Sequence, residues 1–194
     1  MTTPLPSGES CIRAMREALA DAQLLPEQID YINAHASSTQ LNDSAETASI
    51  KQVFGDHARR IPVSGTKGYY AHPLGATGAI EAALCALSLD RQWIPPTINY
   101  QNPDPACDLD VVPNHGRAAA LNYVMSNSFG FGGINASVVM GRRVSVRRSL
   151  AVNSPGQIEQ LRNPPCRWLP YSKSGRFSRV RLIACSLRHF AISA

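Results

Sequence analysis

The chain has 194 residues, 44% of them hydrophobic, which excludes wholesale disorder and leaves room for one ordinary domain or half of a larger one. No apolar run of about 18 residues is present, and the first residues lack the pattern of a signal peptide, so a cytoplasmic protein without a membrane-spanning helix is expected. The formal net charge of +5 is uneven: residues 1–141 carry 8 Lys and Arg against 13 Asp and Glu, whereas residues 142–194 carry 11 against one acid, Glu159, so it marks a mildly acidic body with a basic tail rather than a nucleic-acid partner.

Ser7 to Ser10 opens a predicted helix in which Ile12, Met15 and Leu19 fall on one face, and Asp21 to Pro26 ends it. Ile29 to Asn33 reads as a short strand, with His35 just past its end and a polar loop from Ala36 to Asn42. Asp43 reads as an N-cap, and Glu46 three residues later completes a capping-box pattern for a helix that stops at Gly55. Ile61 to Ser64 reads as a strand, followed by a loop rich in glycine and tyrosine from Gly65 to His72. Pro73 fits the first turn of a long helix reaching Arg91, apolar almost all round and so expected to be deeply buried. Pro95 to Pro105 is an extended connection. Tyr123 to Ser126 and Asn135 to Met140 read as strands around the turn Gly130-Phe131-Gly132-Gly133. Alternating strand and helix predict an α/β fold with a layered sheet over residues 1–142. Residues 143–194 form an irregular basic tail with no sustained periodicity and no assignable fold.

Two histidines stand out. His35 follows a strand, and His72 precedes a helix N-terminus, where the dipole disfavours an imidazolium. A neutral imidazole can donate one hydrogen bond to a developing enolate or accept a proton. Glu81 lies inside a nearly all-apolar helix, where an unpaired carboxylate is costly, so a buried partner such as Lys67 is expected. The glycine-rich turn around Phe131 lacks the helix and lysine of a phosphate loop, and Phe131 between glycines reads either as a moving gate or as one buried aromatic in a turn. The five cysteines, at 11, 85, 107, 166 and 185, include no CxxC pair and no strand-to-helix elbow, so none reads as an activated nucleophile. The histidines have no metal-ligand spacing.

Asn33-Ala34-His35-Ala36-Ser37-Ser38-Thr39 with Asn42-Asp43 and Glu46 resembles the first histidine block of the β-ketoacyl-acyl-carrier-protein synthases. Thr66-Lys67, Ala71-His72-Pro73-Leu74-Gly75-Ala76 and Gly78-Ala79-Ile80-Glu81 resemble their second histidine block, and Ser126 to Ala136 their C-terminal block. The resemblance runs from residue 8 to about 142 and is closest to chain-elongating type II synthases of fatty acid or polyketide biosynthesis. It implies the C-terminal half of a thiolase-like α/β/α/β/α fold, and an acyltransferase that condenses malonyl-carrier protein with an acyl-enzyme. By motif, His35, His72 and Lys67 are the catalytic positions, with Glu81 as the buried partner of Lys67. Ser37 and Thr39 fall where the phosphopantetheine arm of the carrier protein is contacted, and Phe131 at the gate. Asn33, Glu81, Ser126 and Asn127 fall where some members hold a structural monovalent cation. The resemblance also implies an acyl carrier protein, an N-terminal half with the nucleophilic cysteine, and a homodimer as partners, and no nucleic acid or membrane. Ala36 and Ala71 replace glycines of the pattern, and Tyr69-Tyr70 departs from it. A non-catalytic remnant that binds a synthase or carrier protein is the competing reading.

Overall fold

Tyr31 and Ile32, Val124 and Met125, and Met140 and Val139 are adjacent in sequence, and in a strand adjacent side chains face opposite ways. In the computed structural model, which describes residues 8–142 and 180–188, this alternation builds two cores on one sheet. The elements are α1 (Glu9–Ala22), β1 (Tyr31–Asn33), α2 (Asn42–Phe54), β2 (Val63–Ser64), α3 (Thr77–Arg91), β3 (Trp93–Ile94), β4 (Arg117–Ala118), β5 (Tyr123–Phe129), β6 (Asn135–Arg142) and β7 (Val180–Arg188). The main sheet has the order β2-β1-β5-β6-β7, and β3 and β4 form a two-stranded antiparallel ribbon. β1 is parallel to both β2 and β5, whereas β6 is antiparallel to β5.

The register aligns Ile32 with Met125 and Met125 with Val139, and these meet Ile12, Met15 and Leu19 of α1 and Ile50, Val53 and Phe54 of α2. On the other face Tyr31, Val124 and Met140 meet Cys85 and Leu89 of α3. The result is a three-layer α/β/α unit. Burying side chains as completely as Met15 and Ile32 contributes about 1.5–3 kcal/mol each. Gly8 precedes α1 with φ of 63°, and a Cβ there would collide with Ser49 Oγ, so close packing of α1 on α2 requires glycine.

Three expectations need correction. The long helix starts at Thr77, not Pro73, because residues 74–76 make a separate 3-10 turn. It buries one stripe only, Thr77, Glu81, Cys85, Ser88 and Leu89, and leaves Leu87 and the preceding Leu74 exposed. Apolar composition all round is thus matched by cover on one side. The helix α2 starts at Asn42, and neither Asp43 nor Glu46 caps it. Asp43 accepts from Ser38 N–H instead, and Glu46 points into the core, where backbone amides of a neighbouring loop outcompete its own helix end. Finally, the tail read as wholly irregular supplies β7, which pairs antiparallel with β6 over its length. An open sheet edge presents a row of unpaired backbone groups that any segment able to extend can satisfy. The remainder of the tail lies outside the described residues.

Candidate active site

The parallel strands β1, β2 and β5 end on the same side of the sheet, the usual place for a site in such folds. His35 follows β1, Thr66 and Lys67 follow β2, and Phe129 ends β5. The His35 and His72 rings lie edge to face with centroids 5.3 Å apart, and Phe129 lies 6.0 Å from His35. His35 is buried and His72 exposed at the mouth.

Each loop is held by hydrogen bonds that the local sequence does not advertise. The two oxygens of buried Glu46 accept the N–H groups of His35 and Ala36, both at 2.9 Å, and Asn127 Nδ2 donates to Glu46 Oε1 at 3.4 Å. Ser137 Oγ donates to Asn127 Oδ1 at 2.8 Å, which fixes the amide. Lys67 Nζ donates to the His35 carbonyl and to Glu81 Oε1, the latter at 2.5 Å, with both side chains of this ion pair buried. Glu46 holds the His35 loop, whereas its place in the sequence suggests a helix cap. Its spacing from Asp43 fits a capping box, and only the three-dimensional neighbour, the loop after β1, distinguishes the two uses.

The protonation states follow from these contacts. His72 Nδ1 accepts the Leu74 N–H at 3.1 Å and lies 3.3 Å from Thr77 Oγ1, so its proton sits on Nε2, which is left as a free donor. Partial desolvation of this exposed ring first, then the Lys67 charge, lowers the His72 pKa. Burial, then Lys67 and His72, lowers that of His35 from 6.5 to about 3. Both rings are therefore neutral at neutral pH. A depressed imidazole pKa contributes stability that is present above the unfolded value and lost as pH falls through the folded one. His35→Gln is accordingly expected to flatten the decline in unfolding free energy between pH 6.5 and about 3. Denaturant curves across that range check this, and an unchanged slope would count against a buried neutral ring.

Burial pushes the Cys11 and Cys85 thiols up to about 12, opposite to what a nucleophile needs. Ser37 Oγ and Thr39 Oγ1 lie 3.2 Å apart in the polar loop after His35. Phe131 lies in the short turn between β5 and β6, where Gly132 has φ of 72°. Ser126 and Asn127 are buried on β5, and Asn33 is buried at the end of β1. Three buried polar atoms in this region, Asn33 Oδ1, His35 Nδ1 and Glu81 Oε2, have no hydrogen-bond partner among the described residues.

Residues 1–101 match the family described as Beta-ketoacyl synthase, C-terminal domain. The chain belongs to this family. It is 49% identical over 142 residues to a 3-oxoacyl-[acyl-carrier-protein] synthase 2 of Coxiella burnetii, covering 73% of this chain and 34% of that one. It is 52% identical to Nodulation protein E of Rhizobium leguminosarum bv. trifolii over 68% of this chain and 33% of that one. Among solved structures, a type II polyketide ketosynthase in complex with its acyl-carrier protein superposes with a TM-score of 0.71 and 42% identity, over 73% of this chain and 35% of the other. A β-ketoacyl synthase from Burkholderia phymatum gives 0.67 and 43%, over 72% and 33%. The fold is that of part of a thiolase-like synthase, and the chain spans about a third of the length of these relatives. No helix among the described residues is long and apolar enough to cross a membrane.

Proposed function

We propose that this synthase segment supplies the two-histidine half of a 3-oxoacyl-acyl-carrier-protein synthase, which extends an acyl chain by decarboxylative Claisen condensation in the cytosol. The observation that carries the proposal is the pair of neutral rings 5.3 Å apart beyond the strand ends, with the His72 proton held on Nε2 by the Leu74 N–H. Loss of carbon dioxide from a malonyl thioester leaves an enolate whose charge gathers on the thioester oxygen. The Nε2–H of His72 and one N–H of His35 stabilise that oxygen without changing charge themselves. The enolate carbon then attacks an acyl thioester on a cysteine of the N-terminal half, and the cysteine thiolate leaves.

Lys67 and Glu81 support this geometry rather than touch substrate. In this reading Ser37 and Thr39 meet the phosphopantetheine arm, Phe131 gates the acyl site, and the synthase division ends at residue 142. The complete enzyme takes an acyl carrier protein as partner and pairs with a second copy of itself. A monovalent cation suits the unspent acceptors Asn33 Oδ1 and Glu81 Oε2. Asn127 fits less well through its side chain, whose oxygen is taken by Ser137. Such an ion supplies a fixed positive charge beside Glu81. The exposed flank of α3, with Leu74 and Leu87, favours a second reading, a remnant that binds another synthase chain without catalysis.

The test uses acyl- and malonyl-carrier protein. The chain alone is expected to give no 3-oxoacyl product, and the chain co-expressed with the N-terminal half of a relative is expected to give it. Turnover by the chain alone overturns the division of labour. A stable but silent pair favours the remnant.

A further inference from the structure

Alanine is uncommon in left-handed backbone, because its Cβ crowds the following carbonyl and offers no polar atom in compensation. Two alanines adopt it here, and each is the immediate neighbour of a site histidine: Ala36, with φ of 39°, follows His35, and Ala71, with φ of 62°, precedes His72. Of the other positive-φ residues, the helix C-caps Gln23 and Gln92 and the asparagines Asn99 and Asn114 have ordinary reasons for that conformation, Ser38 and Leu74 lie in the same two loops as the alanines, and Val112 lies outside them.

Packing holds Ala36 directly, whereas Ala71 is exposed and is constrained through its chain neighbours. The Ala36 N–H is bound by Glu46 Oε2 at 2.9 Å. The Ala36 methyl faces Gly65, where an added Cβ would lie 2.6 Å from it, so the loop after β1 and the turn after β2 interlock through a methyl on one side and its absence on the other. Around Ala71, Pro73 restricts His72 to extended backbone, and the chain then turns back so that Leu74, also at positive φ, donates its N–H to the His72 ring. Strained residues persist only where neighbours over-determine them, and they gather at functional sites.

We propose that Ala36 and Ala71 are positioning residues: their methyl groups close off the alternative backbone shapes that glycine would allow, and so hold the two imidazoles in one edge-to-face arrangement at the expense of fold stability. Glycine at either position relieves the strain but widens the loop ensemble.

Ala36→Gly and Ala71→Gly in the full chain test this. Their thermal midpoints are expected to equal or exceed that of the parent. Imidazole nitrogen NMR at neutral pH is expected to give one Nε2–H tautomer for His72 in the parent and a tautomer mixture in Ala71→Gly, with at least a tenth of the minor form. Ala36→Gly is expected to broaden or split the His35 ring signals. Gly65→Ala is expected to destabilise the parent and to be better tolerated in the Ala36→Gly background, which reads the methyl contact directly. Unchanged His72 tautomer and His35 signals in the glycine variants overturn the proposal, as does a fall in either midpoint. A Gly65→Ala effect independent of residue 36 removes the interlock.

Discussion

Replacing Lys67 with methionine is expected to lower the unfolding free energy by about 3–5 kcal/mol at pH 8, because it leaves a buried carboxylate without its counter-charge. Glu81 is fully buried, and its second oxygen already lacks a partner among the described residues. Burial has raised its pKa from 4.5 to about 7 even with the Lys67 contact pulling the other way, so without Lys67 it rises further. A carboxyl whose folded pKa is raised favours the folded state at low pH and loses that advantage as pH climbs from the unfolded value through the folded one. The Lys67→Met deficit should therefore be clearly smaller at pH 5 than at pH 8. Lys67→Met with Glu81→Leu should recover most of the loss, since the pair can be replaced by apolar volume. Denaturant melts at both pH values decide this. A loss below about 1 kcal/mol, in the range of an exposed ion pair, would show that solvent reaches the site.

The second large effect is on chemistry. In a complete enzyme carrying this segment, His35→Ala or His72→Ala is expected to cut malonyl decarboxylation by about 10²–10³-fold each, the usual cost of removing one donor from a developing oxyanion. Carbon dioxide release from labelled malonyl-carrier protein measures it without requiring condensation. Retained release in both variants would sink the role given to the rings. His72→Ala should also leave the fold nearly intact, because that ring is exposed, whereas His35→Ala opens a cavity beside Phe129.

Periodicity reached the sheet and the helices because each apolar set has only one wall to meet. Ile12, Met15 and Leu19 announced the buried face of α1, and Tyr31 to Asn33 the strand that carries the first histidine. The expectation that Glu81 needs a buried cation came from cost alone, and the pair with Lys67 has that form. What local reading could not reach were uses that depend on distant chain. Glu46 fits a capping box by spacing, yet its carboxylate is taken by the His35 loop. The α3 composition carries no mark of which face will be left bare. Strand β7 joins the edge that β6 presents to a short apolar run, Leu182 to Cys185, which is too brief to separate strand from helix by period alone.

The pairing of Tyr31 with Val124 gives the site a place in time as well as in space. On the ribosome His35 emerges long before Asn127 and Phe129, the residues beneath and beside it. At ordinary rates of synthesis that interval lasts roughly 5–20 seconds. For the later part of it Glu46 and Lys67 are available to the histidine loop, but β1 has only β2 to pair with. The two rings can take their final relation only after β5 docks, so the site is assembled well after its first histidine has been made.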